Sequence, residues 1–266
     1  MSRVPVNKTY KLFIGGAFVR SESGRTYLAE GENVPRASRK DVRQAVLAAR
    51  GGFAKWSAAT AFNRGQVLYR LAEMLESRLE DLTSTCDNHQ EVERSIDHVV
   101  WCAGWADKLT QVLGSANAVS GPYFNLTVPE PTGVVGVIAP YEPALEGLVA
   151  RVLPVLTGGS SVVIIASEGR PLAAAKFAEA AATSDLPAGV VNILTGRTAE
   201  LAPTLASHVD VNALDLAEGI PDRDELERLA SASVKRVVRR AGVPPPRLQD
   251  ISAFMEYKTV WHPMGF

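Results

Sequence analysis

The feature that most constrains this chain is a set of nearly unbroken β-branched runs: Gly133–Ala139 (GVVGVIA), Ser161–Ala166 (SVVIIA) and Val190–Gly196 (VVNILTG). Runs of this kind are what strands buried on both faces require. Helix-length segments separate them. Leu145–Leu156 carries Leu148, Val149, Val152 and Leu153 on an apolar side, and Pro171–Ser184 places a proline at its first helical position. A further run, Val211–Ala217 (VNALDLA), continues the series. Strand alternating with helix predicts a doubly wound α/β domain, a parallel sheet with right-handed crossovers. Ligands of such sheets sit beyond the carboxyl ends of the strands, so the positions to inspect are 140–145, 166–170, 196–199 and 218–220. No Gly-x-Gly-x-x-Gly follows a strand and no Gly-x-x-x-x-Gly-Lys occurs, so the usual diphosphate cradles are missing.

The flanking segments also read clearly. Lys11–Val19 (KLFIGGAFV) predicts a short hairpin around Gly15 and Gly16. A helix is expected from Ser38, whose hydroxyl can cap it, with Asp41 near its positive end and Val42, Ala45, Val46, Ala49 and Phe53 on one face. A second helix follows with Val67, Leu68, Leu71, Leu75 and Leu79, and Asn88–Leu113 reads as one long third helix. Beyond Gly121-Pro122 the period becomes two, with Phe124, Leu126 and Val128 facing one way and Pro129 and Pro131 limiting the pairing. A helix is expected over Asp224–Arg240, with Lys235, Arg236, Arg239 and Arg240 as its solvated basic end. The stretch Val243-Pro244-Pro245-Pro246 then forms a semi-rigid linker. Met255–Trp261 alternates like a strand whose natural mate is Phe124–Val128. Two strands alone are marginal in water, so a third strand or a partner surface is expected.

Composition removes several function classes. The chain is 46% hydrophobic and 21% charged over 266 residues, which excludes disorder, collagen and coiled coil. A formal charge of -1, from 28 basic and 29 acidic side chains spread along the chain, gives no footprint for nucleic acid or an anionic membrane. Cys86 and Cys102 form no disulfide framework and no metal-binding cluster, and His89, His98, His208 and His262 are scattered. Met1–Lys11 has no apolar leader and no long apolar run occurs, so a cytoplasmic protein outside the membrane is expected. Asn125-Leu126-Thr127 matches the glycosylation triplet by chance on this reading.

Several stretches resemble the aldehyde dehydrogenase superfamily, in that family's order. They are FIGGAFV with SESGRTY, the helix Gln66–Leu75, AGWADKL (Ala103–Leu109), PEPTGVVGVIAP (Pro129–Pro140), DLPAGVVNILTG (Asp185–Gly196) and FMEYKTVW (Phe254–Trp261). The resemblance covers nearly all of this chain but about half of a family member. It implies a Rossmann-like parallel sheet with flanking helices over 1–120 and 132–243, and a small antiparallel oligomerisation ribbon over 121–131 and 250–266. A catalytic domain is absent from between Val243 and Phe254. In the family a cysteine thiolate attacks an aldehyde, hydride passes to NAD(P), and water hydrolyses the thioester.

Position by position, the resemblance implies that this chemistry is lost. The family's Pro-Trp-Asn-Phe-Pro, whose Asn stabilises the oxyanion, corresponds to Pro140-Tyr141-Glu142-Pro143-Ala144, and a carboxylate at Glu142 repels an oxyanion. Lys-Pro-Ser/Ala-Glu, which holds the adenosine ribose, reads Ile165-Ala166-Ser167-Glu168, so only Glu168 matches. Glu168 is then either a retained ribose ligand or a loop carboxylate capping the helix at Pro171. The Gly-x-Gly turn reads Gly196-Arg197-Thr198, and Phe-Thr-Gly-Ser at the pyrophosphate reads Leu216-Ala217-Glu218-Gly219. Glu-Leu-Gly-Gly, the source of the general base, reads Arg240-Ala241-Gly242-Val243, and arginine cannot accept a proton near neutrality.

No catalytic residue, no metal and no cofactor are therefore expected, since the family's NAD or NADP positions are largely lost. What survives is the ribbon, which in the family packs onto a neighbouring subunit. Phe124, Leu126, Val128, Tyr257, Thr259, Val260 and Trp261 are its expected interface residues. The leading expectation is a non-catalytic subunit that assembles with a complete aldehyde dehydrogenase and stabilises or regulates it, or self-associates through the ribbon. The alternatives are a component active only within a hetero-complex, a nucleotide-sensing module built on Glu168, and an inert decayed gene product.

Overall fold

The computed structural model describes Val4, Val6 and residues 8–265. The outermost limits of the segments read as 1–120 and 250–266 lie outside the described residues. In chain order the elements are β1 (Leu12–Ile14), β2 (Ala17–Val19), β3 (Thr26–Ala29), β4 (Glu32–Pro35), α1 (Arg39–Ala58), α2 (Ala61–Glu76), α3 (Leu79–Cys86), α4 (His89–Trp105) and α5 (Leu109–Leu113). Then come β5 (Ser115–Asn117), β6 (Tyr123–Pro131), β7 (Val134–Ile138), α6 (Ala144–Thr157), β8 (Ser161–Ile165), α7 (Pro171–Ala181), β9 (Val191–Leu194) and α8 (Thr198–Ser207). The last elements are β10 (Ala213–Ala217), α9 (Arg223–Ser231), β11 (Arg236–Arg240), α10 (Leu248–Ser252) and β12 (Met255–Pro263).

The β-branched runs form the centre of a seven-stranded mixed sheet, ordered β11-β10-β7-β8-β9-β1-β2. Strands β11 to β9 in that order run parallel, and β1 adds antiparallel to β9 at Phe13↔Ile193. Every residue of β7, β8, β9 and β10 is buried. Alternation along them splits the core in two. Val135, Val137, Val162, Ile164 and Ile193 face α6, α7 and the helices α2 and α4. Val134, Ile138, Val163, Ile165 and Leu214 face α1, α8 and α9. Each fully buried Val, Ile or Leu contributes roughly 1.5–3 kcal/mol. Helix α1 comes so close to the turn before β9 that a Cβ on Gly52 would stand 2.3 Å from the Gly189 carbonyl carbon. Only glycine admits that approach.

Local signals explain several boundaries. Ser38 caps α1 in a reciprocal capping box with Asp41, and the buried Asp41 also accepts bonds from the Ser21 hydroxyl and the Glu22 amide. Pro171 opens α7, as its preset φ favours. The expected hairpin at 11–19 is present as β1 and β2, whereas the β3–β4 hairpin was not anticipated.

Two expected helices are corrected. Asn88–Leu113 breaks at a turn where the Lys108 amide bonds to the Trp105 carbonyl, giving α4 and α5. Asp224–Arg240 is helical only to Ser231. Val234 takes φ +53, and Arg236–Arg240 pairs in parallel with β10 from Ala213↔Arg236 to Ala217↔Arg240. Arginines and alanines favour a helix locally, but the open edge of β10 offers a ladder of backbone bonds that no isolated helix end can match.

The basic cluster is consequently not a solvated helix end. Arg236 donates to the Ala253 and Met255 carbonyls and pairs with Glu256, and Arg239 pairs with Glu227. Arg240 turns inward to Asp215, which is fully buried and also binds Arg151 at 2.5 Å. Asp250 of α10 stands 3.7 Å from Arg240 and 3.1 Å from Arg247. From α10 the chain enters β12, which pairs antiparallel with β6 from Met255↔Pro131 to Pro263↔Tyr123. Short β5 completes a three-stranded sheet ordered β12-β6-β5, supplying the expected third strand.

Asp215→Ala leaves the buried Arg151 and the largely buried Arg240 without their shared carboxylate, and loss of roughly 3–5 kcal/mol is expected in urea denaturation. A second expectation concerns His98. Burial pushes its imidazole down from 6.5 to about 4, with Asp250 pulling weakly upward. The unfolded chain therefore binds a proton that the folded state refuses, so this contribution is intact above about pH 6.5 and is lost as the pH falls toward about 4. The urea midpoint should decline across that window, and His98→Gln should flatten the decline.

Candidate functional site

The strand order reverses beside β7: the chain moves from β7 through β8 to β9, then returns to place β10 on the other side of β7. Doubly wound sheets open a crevice at such a point. Here it is a cleft of about 560 Å³ beyond the carboxyl ends of β7, β8, β9 and β10. Its walls come from Ala139–Tyr141, Ser167–Gly169, Arg197–Ala199 and Glu218–Pro221, in close agreement with the stretches that the strand pattern marked for inspection. Tyr27 and Leu28, from β3, complete it. Those two were missed, because nothing in the alternating pattern tells which side of the sheet a distant hairpin will cover.

Glu168 lies in this cleft, and its carboxylate is already engaged. It accepts a bond from the Thr198 amide at 3.0 Å, so it caps α8, and it pairs with Arg197. The reading of Glu168 as a cap for α7 is corrected. The carboxylate that takes the exposed Leu172 amide of α7 is Glu30, at 3.0 Å, carried there by the β3–β4 turn. The Arg197 guanidinium also lies over the Tyr27 ring, 5.2 Å from its centroid. Tyr27 is 8% exposed, and its buried hydroxyl lies by the Gly196 backbone and donates to no protein acceptor among the described residues. Burial first, and the Glu168 charge second, push this phenol up to about 12, so it stays protonated as a donor.

The far side of the cleft carries mixed charge, since Arg223 donates to the Ala217 carbonyl at 3.1 Å and Arg228 pairs with Glu225 at 2.6 Å. Glu218 follows β10, and α9 begins at Asp222 with no side-chain cap and with Asp224 and Glu225 in its first turn. The opposite rim is tied by Arg170, which binds Glu30 at 2.9 Å and Glu142 at 3.0 Å. Tyr141 packs over Gly169 so closely that a Cβ there would meet its ring at 2.3 Å.

No thiol reaches the cleft. Cys86 and Cys102 are buried in the core, and burial pushes both up to about 12. Arg240, which the resemblance aligns with the family's general base, is committed to Asp215. Among the described residues no group of His, Cys, Asp and Glu could hold a metal ion, and no helix is long and apolar enough to cross a membrane.

The expected interface residues all lie on the three-stranded sheet, but on two faces. Val260 stands opposite Leu126 and shares a face with Phe124 and Val128. Tyr257, Thr259 and Trp261 occupy the other face. There the Trp261 ring meets Tyr123 edge-on at 5.9 Å, and the Thr127 and Thr259 hydroxyls bond at 2.9 Å. Phe124, Tyr257, Val260 and Trp261 are exposed.

Residues 28–244 match the sequence profile of the aldehyde dehydrogenase family. The chain belongs to that family. It is 32% identical over 258 residues to aldehyde dehydrogenase, cytosolic 1 of Elephantulus edwardii, covering 89% of this chain and 51% of that protein. It is 32% identical over 268 residues to the cytosolic 10-formyltetrahydrofolate dehydrogenase of Mus musculus, covering 92% of this chain and 30% of that protein. The fold superposes on the NAD+ complex of aldehyde dehydrogenase from Bacillus cereus with a TM-score of 0.82 and 26% identity, over 88% of this chain and 51% of that one. The chain thus spans about half the length of these dehydrogenases, and less of the longer protein.

Both thiols should resist a disulfide reagent at pH 7 in the folded protein and react promptly in urea, because a thiol with its pKa near 12 holds almost no thiolate. Fast labelling of either cysteine in the native state would contradict the burial described.

Proposed function

We propose that this chain is a non-catalytic member of the aldehyde dehydrogenase family that assembles with a complete aldehyde dehydrogenase subunit and stabilises or regulates it. The observation that carries the reading is the route from β11 to β12. Between Arg240 and Met255 lie only a proline turn and the five-residue α10, after which β12 zips along β6. A ribbon is thereby kept while the chain leaves no length between those strands for a further domain. Among the described residues the ribbon's outer strand β12 has no neighbour on its far side, and its residues from Glu256 to Pro263 are exposed. Such an edge is a template for pairing with another chain.

The chemistry of the remaining positions supports the same reading. Glu142 is a carboxylate held by Arg170 where the resemblance calls for an amide donor, and neither thiol is accessible. A dinucleotide does not suit the cleft. Ile165 replaces the ribose lysine, Glu168 is occupied by Arg197 and the Thr198 amide, and Glu218 stands near the helix end where a phosphate would dock. On this proposal the chain needs no NAD or NADP and turns over no aldehyde. Two free buried thiols suit a reducing, cytoplasmic setting.

The test is co-expression with a complete family member, followed by size-exclusion chromatography with light scattering. A stable hetero-oligomer is expected. Val260→Lys should abolish it while leaving the melting temperature of the isolated chain unchanged, because that side chain is exposed. A chain that stays monomeric both alone and with the enzyme overturns the proposal, as does reduction of NAD with aldehydes by the isolated chain.

A further inference from the structure

We propose that the small cavity between α4, α6, β11 and α10 binds a single halide ion, chloride under ordinary conditions, as counter-ion to the buried arginine pair. The inference stands on this cavity alone and is independent of the strand-end cleft and of the ribbon.

The geometry comes first. The cavity is lined by His98 of α4, Arg151 of α6, Arg240 of β11 and Asp250 of α10, with Gly242 and Pro244 of the linker. Its volume is about 10 Å³, space for one water-sized occupant. Arg151 is 2% exposed, His98 5%, and the Arg240 side chain 11%. Each of these three carries one buried nitrogen with no partner among the described residues: Nε2 of His98, Nε of Arg151 and Nε of Arg240. The terminal guanidinium nitrogens are all engaged. Those of Arg151 go to Asp215 and to the Arg240 carbonyl at 2.9 Å, and those of Arg240 to Asp215 and to the Ala150 carbonyl at 3.1 Å. What remains on each guanidinium is its Nε–H. Buried donors are almost always paired, and three that meet at one cavity from three separate elements call for an acceptor seated among them.

Charge then selects the acceptor. Asp215 is one carboxylate shared by two guanidinium groups. Asp250 stands 3.7 Å from Arg240, but it is held by Arg247, through the side chain at 3.1 Å and the amide at 3.2 Å. Glu146 also reaches His98 and is paired with Arg94 at 2.8 Å. Arg223 acts on Arg151 from α9, where Asp222 and Asp224 flank it. One positive charge of the Arg151–Arg240 pair is thus left without a counter-ion, and a buried charge of that kind is costly. Burial holds the His98 imidazole neutral by pushing it down to about 4, and with its proton on Nε2 it donates without adding charge. A water molecule would bring two hydrogens of its own to a site whose free groups are donors and would leave the excess charge in place. A carboxylate or phosphate is too large for the volume. A monatomic anion accepts from all three nitrogens and closes the charge balance.

The purified full chain is melted in sodium chloride and in sodium gluconate at equal ionic strength, gluconate being too large for the cavity. A saturable rise in melting temperature with chloride alone is expected. Crystals grown with sodium bromide should show an anomalous-scattering peak between His98, Arg151 and Arg240. His98→Phe removes one donor and should weaken the halide about tenfold, whereas His98→Gln can keep an N–H in that place and should retain most of the response. Three results overturn the proposal: equal melting temperatures in the two salts, a cavity without a bromide peak, which would then hold water, or a chloride response indifferent to His98→Phe. The bromide peak is read on the unaltered chain, so it decides the matter even if a variant fails to fold.

Discussion

Asp215 sits at the middle of β10 with no exposed surface and holds two arginines, Arg151 from α6 and Arg240 from the end of β11. A buried carboxylate is tolerable only when it is paired and hydrogen-bonded. Because both partners come from different elements, the need to satisfy this one charge draws a helix, an edge strand and the chain beyond it into a single arrangement. Arg151 also donates to the Arg240 carbonyl at 2.9 Å, and Arg240 to the Ala150 carbonyl at 3.1 Å. Phe254 packs beneath the Arg240 guanidinium, 5.7 Å away. The turn that carries the chain from the parallel sheet to the ribbon is anchored on these contacts, and β12 then pairs along β6 from Met255↔Pro131 to Pro263↔Tyr123.

The same ion pair engages a position that the family resemblance singles out. Where the family resemblance puts a general base, this chain has Arg240, and the arginine serves as a buried structural cation. Glu142 and Glu168 have been absorbed in a comparable way, the first into the Arg170 bridge and the second into the cap of α8. Polar side chains that the resemblance aligns with the family's reaction positions hold the fold together here. Their charges are satisfied within the molecule, so the strand-end cleft presents mainly apolar walls and the buried Tyr27 phenol.

Much of this was legible in the linear sequence. The parallel strands announce themselves because burial on both faces leaves no room for polar residues in Val134–Ile138 or Ser161–Ile165. The capping box at Ser38 and the proline at the start of α7 depend on neighbours within one turn, and they appear where the local pattern puts them. The strand-end rule placed most of the cleft for the same kind of reason, since it follows from strand direction alone. Tyr27 escaped, as did the true cap of α7. Glu30 meets Leu172 across 142 positions of chain, and no local periodicity encodes such a meeting.

The sequence by itself determined the alternation of buried strands and helices, and the family. These depend on side-chain type and short-range spacing. Only the tertiary structure decided that Arg236–Arg240 is a strand and not the tail of a helix, that the basic cluster turns inward onto Asp215, and that Glu168 is spent on Arg197 and the Thr198 amide. Each of those outcomes turns on an unsatisfied backbone edge or charge supplied by a remote element, and a group's best partner is fixed only once the whole chain has brought the competitors together.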